Sequence, residues 1–109
     1  NVEDFENASM AKIGMIPQIH VRYHSTYFNH IFTGGYCAGY YSYSWAEVLA
    51  DDAFQAFKET GDVYNQELSF AFRKKILERG DSDEPMKLYI DFRGKEPLPD
   101  ALLIKRGLK

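Results

Sequence analysis

Several things are scarce in this sequence, and each scarcity removes a class of reading. Cys37 is its only cysteine, which excludes an internal disulfide and a cysteine-rich zinc site. Its neighbours, Tyr36 and Ala38, bring no base or cation to lower the thiol pKa, so Cys37 reads as a small buried thiol rather than a nucleophile. No apolar run approaches the roughly 18 residues that would span a bilayer, so no membrane partner is expected. Positive charge is not in excess: 13 Lys and Arg stand against 16 Asp and Glu, for a net charge of −3. That balance argues against an electrostatic nucleic-acid binder. The short run Arg73-Lys74-Lys75 reads as a solvated helix face. The opening NVEDFENASM is acidic and lacks the basic-then-apolar order of a signal peptide. It also begins on Asn1 rather than Met, so a fragment is expected, with any targeting signal outside it. The cytoplasm is the compartment expected, with the periplasm left open. Strand alternation, internal repeats and low-complexity tracts are missing as well.

What is present suits a soluble all-α chain. With 109 residues, 45% hydrophobic and 27% charged, it is one domain at most, large enough for a modest core. Asn1 is placed to cap a helix over Val2–Lys12, with Val2, Phe5, Ala8 and Ile13 in one stripe and Gly14 as its stop. Residues 15–27 contain Pro17 and no helical period, and read as an extended connector. A long helix is expected from Tyr36 to Glu59, apolar nearly all round in its first half and therefore buried there on every side. Tyr41, Trp45, Val48, Leu49 and Phe57 form its core stripe, and Asp51, Asp52, Lys58 and Glu59 mark its emergence into solvent. Gly39 inside it costs about 1 kcal/mol relative to Ala, which implies close approach by backbone or ligand. Asn65 caps a helix to about Arg79, with Leu68, Ala71, Phe72 and Ile76 inward. Ser82 or Asp83 opens another, with Asp83 and Glu84 in its first turn and Pro85 tolerated there. Met86, Leu88, Tyr89 and Phe92 are its buried residues and Gly94 its stop, and a short helix covers 100–105. About five helices result.

Chemistry concentrates between Tyr27 and Val48, which hold the single Trp, the single Cys and five of the eight Tyr. Aromatic residues make up 16% of the chain and must be buried in it, in a partner or in a ligand site. Tyr36, Tyr40 and Tyr43 recur at i, i+4 and i+7, which on a helix sets three phenols along one face. With His30 and the flexible Gly34-Gly35 pair they form a set of hydrogen-bond donors. Such donors stabilise a developing oxyanion by roughly 3 kcal/mol each, and a Gly-Gly loop permits close approach and movement. The plainer reading, in which each Tyr bonds a buried backbone carbonyl, stays open from these residues alone. His20 and His24 are four apart, but no acid lies between them and Pro17 argues against a regular helix. A zinc pair of the HExxH kind is therefore not expected.

The run YFNHIFTGGYCAGYYSYSWAEVLADDAF, with AKIGMIP before it and FRKKILERGDSDEPMKLYIDFRGKEP and ALLIKRGL after it, resembles the C-terminal part of zinc metallopeptidases of the thimet oligopeptidase family. The bacterial peptidyl-dipeptidases and oligopeptidases are the nearest pattern, and the likeness covers essentially the whole chain. It implies the C-terminal portion of a larger helical, zincin-type catalytic domain, ending at or near Lys109. It further implies that His30 contacts the substrate backbone near the scissile bond and that Tyr36, on a loop made mobile by Gly34 and Gly35, binds substrate. Tyr43 would donate to the oxyanion, with Tyr40 beside it as a further contact. The substrates would be short peptides. The zinc of the full-length parent would sit on an upstream HExxH, a motif lacking here, so no metal is expected in this chain and no activity from it alone. Surface that faces the missing zinc-binding part would be exposed and prone to self-association. His24 departs from the family pattern, which tends to have Arg there; a His would replace its charge only when protonated. The alternative reading is a non-catalytic helical module that holds peptides in an aromatic groove.

Overall fold

In the computed structural model, which describes residues 1–109, five α-helices and no strand are present. The all-α expectation holds. No helix is long and apolar enough to cross a membrane. The chain divides into two compact units, 1–41 and 42–109.

In the first unit, α1 spans Val2–Lys12. The Asn1 side chain accepts from the Glu3 amide at 3.1 Å. Glu3 and Asp4 sit in the first turn and Lys12 in the last, as the helix dipole favours. Gly14, at φ +83°, turns the chain away. The apolar stripe is not the buried face, however: Phe5 is 72% exposed and Ile13 75%, and the buried residue is Glu6. The cause is what packs there. Residues 24–25 bring hydrogen-bond donors, not an apolar surface, onto α1. Turns fill residues 13–28, followed by 3-10 turns at Asn29–Ile31 and Gly34–Tyr36.

The second unit opens with α2, Ser42–Glu59, which begins six residues later than its sequence suggests. Gly34 at φ +71° and Ala38 at φ +54° are left-handed, and Cys37 has ψ 123°. None of these continues a right-handed helix. Tyr36, Tyr40 and Tyr43 therefore share no helix face. The stretch expected to be buried on every side is mostly exposed, Tyr36, Tyr41, Tyr43 and Trp45 included. Cys37 is exposed too, its thiol donating to the Phe32 carbonyl at 3.3 Å. Gly39 lies outside any helix, and a Cβ there would meet only ordinary contacts at 3.7 Å, so no close approach explains it.

The core of this unit is small. Ala53 and Ala56 of α2 meet Tyr89 and Phe92 of α4, Pro85–Arg93, with Leu49, Phe57, Leu68, Ala71, Phe72 and Ile76 around them. Small residues at the α2 contact let the α4 rings approach closely. Phe72 lies edge-on to Phe92 at 5.2 Å and to Phe57 at 6.3 Å. Asn65 caps α3, Gln66–Phe72, accepting from the Leu68 amide at 2.9 Å. Beyond it the helix widens into a π turn, Arg73–Leu77, rather than running on as α. There the Glu78 amide reaches the Arg73 carbonyl at 2.8 Å, while the Glu78 carboxylate accepts from Arg73 and Lys74. Gly94, at φ +80°, ends α4 in a left-handed cap. The last helix, α5, Asp100–Lys105, is tied to α2 by Lys105 Nζ, which donates to both Asp51 oxygens at 2.9 and 3.1 Å.

Asp52 does not face solvent as expected; it is 4% exposed. Tyr89 Oη donates to its Oδ2 at 2.7 Å and Arg93 Nε at 3.1 Å. The remaining nitrogens of Arg93 form a fork on Glu59 at 2.7 and 2.9 Å. The Arg93 side chain is only 7% exposed, whereas Glu59 is 47% exposed.

Two outcomes follow for stability. Asp52→Ala strands a buried guanidinium on one side and should cost about 3 kcal/mol. Glu59→Ala removes an exposed partner and should cost about 1 kcal/mol or less. Urea unfolding of the two variants checks the order, and equal losses would overturn it. The Tyr89 phenol is pushed above its usual value of 10.0, first by burial and then by the Asp52 carboxylate. Its raised pKa means the stabilisation is full below about pH 10 and lost as pH rises further. A Tm series from about pH 9 to about pH 11 should fall more steeply for the native chain than for Tyr89→Phe.

Candidate functional site

His30, Tyr36 and Tyr40 come together in the first unit, although not on a helix. His30 lies in the first 3-10 turn and Tyr36 ends the second. Tyr40 follows in a turn. The ring of His30 is 5.0 Å from Tyr40 and 6.5 Å from Tyr36, and Tyr36 meets Tyr40 edge-on at 5.7 Å. Phe28 stands edge-on to Tyr40 at 5.5 Å. Tyr23 stacks on Phe28 at 5.2 Å and tilts against His30 at 5.4 Å. Each such ring pair contributes on the order of 1 kcal/mol beyond area burial. Tyr43 belongs to the second unit, in the first turn of α2, and is 59% exposed.

The backbone around these rings is set by local bonds. Thr33 Oγ1 donates to Asn29 Oδ1 at 2.7 Å, the Ala38 amide to the Ile31 carbonyl at 3.3 Å, and the Gly39 amide to the Tyr36 carbonyl at 2.8 Å. Ala38 pays roughly 1 kcal/mol for its left-handed conformation, a strain stored between Tyr36 and Tyr40. Nothing lies within 4 Å of where a Cβ would stand on Gly34 or Gly35. The φ of +71° at Gly34 needs glycine.

His30 Nδ1 is buried with no hydrogen-bond partner. Burying an unpaired N–H is costlier than burying an unpaired lone pair, so the ring proton is assigned to Nε2. His30 then offers an Nε2–H donor. Together with the phenols this gives hydrogen-bond donors suited to a carbonyl or oxyanion.

Glu6 was not legible as part of this region. Its Oε2 accepts from His24 Nδ1 at 2.6 Å, and its Oε1 accepts from the Ser25 amide. The Ser25 hydroxyl, then His24 and the Ser25 amide, hold the carboxyl down to about 2. No spacing rule joins residues 18 and 19 apart; the only signal was an acidic residue on a face otherwise rich in apolar ones.

No group of three or more His, Cys, Asp or Glu side chains is placed to hold a metal ion, and His24 is engaged by Glu6. The residues present do not fit a zinc site. The second unit carries a separate apolar cavity of about 660 Å³, lined by Trp45, Phe54, Phe57, Phe72, Ile76 and Met86 among others. Glu84 is its one acidic or basic lining residue, so it can receive apolar surface but has no acid–base pair for chemistry.

Residues 1–108 match peptidase family M3. The chain belongs to that family. It is 56% identical over 82 residues to oligopeptidase A of Escherichia coli, covering 75% of this chain and 12% of that protein. It is 46% identical over 109 residues to the dipeptidyl carboxypeptidase of the same organism, covering 99% and 16%. An organellar oligopeptidase A of Arabidopsis thaliana is 42% identical over 111 residues, covering 99% and 14%. The chain thus spans only a small part of the length of these relatives. Within the M3 match fall all six residues singled out in the sequence: His30, Gly34, Gly35, Tyr36, Tyr40 and Tyr43.

The depressed Glu6 pKa has a definite sign. Its contacts are fully present above the ordinary carboxyl value of 4.5 and are lost as pH falls toward about 2. A carboxyl-carbon NMR titration of the chain should place the Glu6 midpoint near 2, well below the ordinary carboxyl value of 4.5. A midpoint near 4.5 would contradict the contact.

Proposed function

We propose that this chain is the substrate-contacting part of an M3 peptidase that hydrolyses short peptides. Membership of the family across residues 1–108 together with the packing of His30 on Tyr40 beside the open Gly34-Gly35 turn carries this reading. In the proposal, the Gly-Gly backbone lies along the peptide, His30 Nε2–H donates to a substrate carbonyl, and Tyr36 and Tyr40 bind alongside. Attack of water on the scissile carbonyl gathers negative charge on its oxygen, and the Tyr43 hydroxyl donates to that oxyanion. A donor that meets charge only in the transition state raises kcat rather than ground-state binding.

The zinc that the family resemblance implies would be held by residues outside this sequence, with the general base beside it. Exposed apolar side chains such as Trp45, Phe54 and Phe70 support a neighbouring surface of that kind. Removal of C-terminal dipeptides is the narrower activity proposed, internal cleavage of short peptides the broader.

In the full-length peptidase, Tyr43→Phe should lower kcat about a hundredfold with little change in KM. A change confined to KM would make Tyr43 a plain binding residue. The 109-residue chain by itself should cleave no peptide, and cleavage by it that chelators abolish would sink the proposal.

A further inference from the structure

The buried apolar side chains, Ala53, Ala56, Leu88, Tyr89, Phe92 and Ala101, all belong to the second unit. The first unit buries one residue, and it is Glu6. A unit without an apolar centre is thus organised on a carboxylate. Its two oxygens take donors from consecutive residues, the His24 ring at 2.6 Å and the Ser25 amide. Gripping one point of the chain from both oxygens fixes orientation as well as position.

That point adjoins the candidate site. Tyr23, immediately before His24, touches both Phe28 and His30, and Phe28 touches Tyr40. Tyr27 meets the His24 ring edge-on at 5.5 Å. Two ring contacts therefore separate the Glu6 grip from Tyr40, and one separates it from His30. The Ser25 amide donates to one oxygen, and the ionised carboxylate can only accept from the His24 ring at the other; a Gln amide keeps one acceptor and loses the charge. Asn1, Glu3 and Thr26 border the same recess, and Glu3 is its other acidic residue.

We propose that Glu6 is a positioning residue for peptide hydrolysis: by holding His24 and Ser25 against α1 it sets the placement of His30, Tyr36 and Tyr40 without touching substrate. This inference rests on the peptidase reading of those three residues. It is tested in the full-length peptidase with Glu6→Ala, Glu6→Gln and the neighbouring control Glu3→Gln. Amide hydrogen exchange and short-peptide kinetics are followed together. Glu6→Ala should speed exchange across residues 23–40 by at least about tenfold while leaving 47–57 unchanged. It should also lower kcat/KM by about ten- to a hundredfold. Glu6→Gln, which keeps the size and one acceptor, should show the same pattern at smaller amplitude, and it keeps the test readable where the Ala variant does not fold. Glu3→Gln should do neither. Unchanged exchange in 23–40, or exchange rising equally in both segments, would overturn the proposal. If Glu6→Ala loosens 23–40 while His30→Ala and Tyr36→Phe leave kcat/KM intact, the placement is supported and the peptidase reading alone fails.

Discussion

The ion pair between Asp52 and Arg93 is the constraint on which the second unit depends. Both side chains are more than nine-tenths buried, so each would be costly without the other. Beside the pair, Ala53 and Ala56 of α2 pack with Tyr89 and Phe92 of α4. Tyr89 adds a neutral donor to the same carboxylate oxygen, and Glu59 closes the fork on the outer side of the guanidinium. Directional contacts from Tyr89 and Arg93 thus join the apolar burial of Leu88, Tyr89 and Phe92 in holding α4.

Helix ends were legible in the sequence because they are set by chemistry within a few residues. Asn1 and Asn65 cap by their own side chains, and Gly14, Gly94 and Gly107 take the left-handed conformations that end helices. Pro85 sits at a first helical position. The start of α2 was not legible for the opposite reason. The interruption at Ala38 is left-handed in a residue type that ordinarily favours helix, so nothing in its identity announces it. An i, i+4, i+7 pattern was therefore read as one face when its first members lie in a 3-10 turn and an irregular turn.

The residues singled out for the site came from their type and from the family likeness; the contacts that hold them were not legible. Asp52 finds its partners 37 and 41 residues away, and Glu6 finds its own 18 and 19 away. From the sequence Asp52 reads as solvent-facing and Glu6 is not singled out at all, because polarity predicts exposure only when no partner waits across the contact.

The two units are consequently held in different ways, and the difference bears on what each can do. Burial of apolar area is non-directional, so a core such as that between α2 and α4 resists opening but says little about where a given atom points. Hydrogen bonds and ring edges are directional and individually modest. A segment ordered by Glu6, by stacked rings and by local turns keeps its donors aimed while opposing small displacements only weakly. Those are the properties a substrate-contacting loop needs. In the proposed function, groups oriented in advance would leave little ordering to do on binding, and the glycines at 34 and 35 would permit movement. Strain at Ala38 and the unpartnered Nδ1 of His30 fall in this same weakly held segment, and not in the unit that a buried ion pair has already fixed.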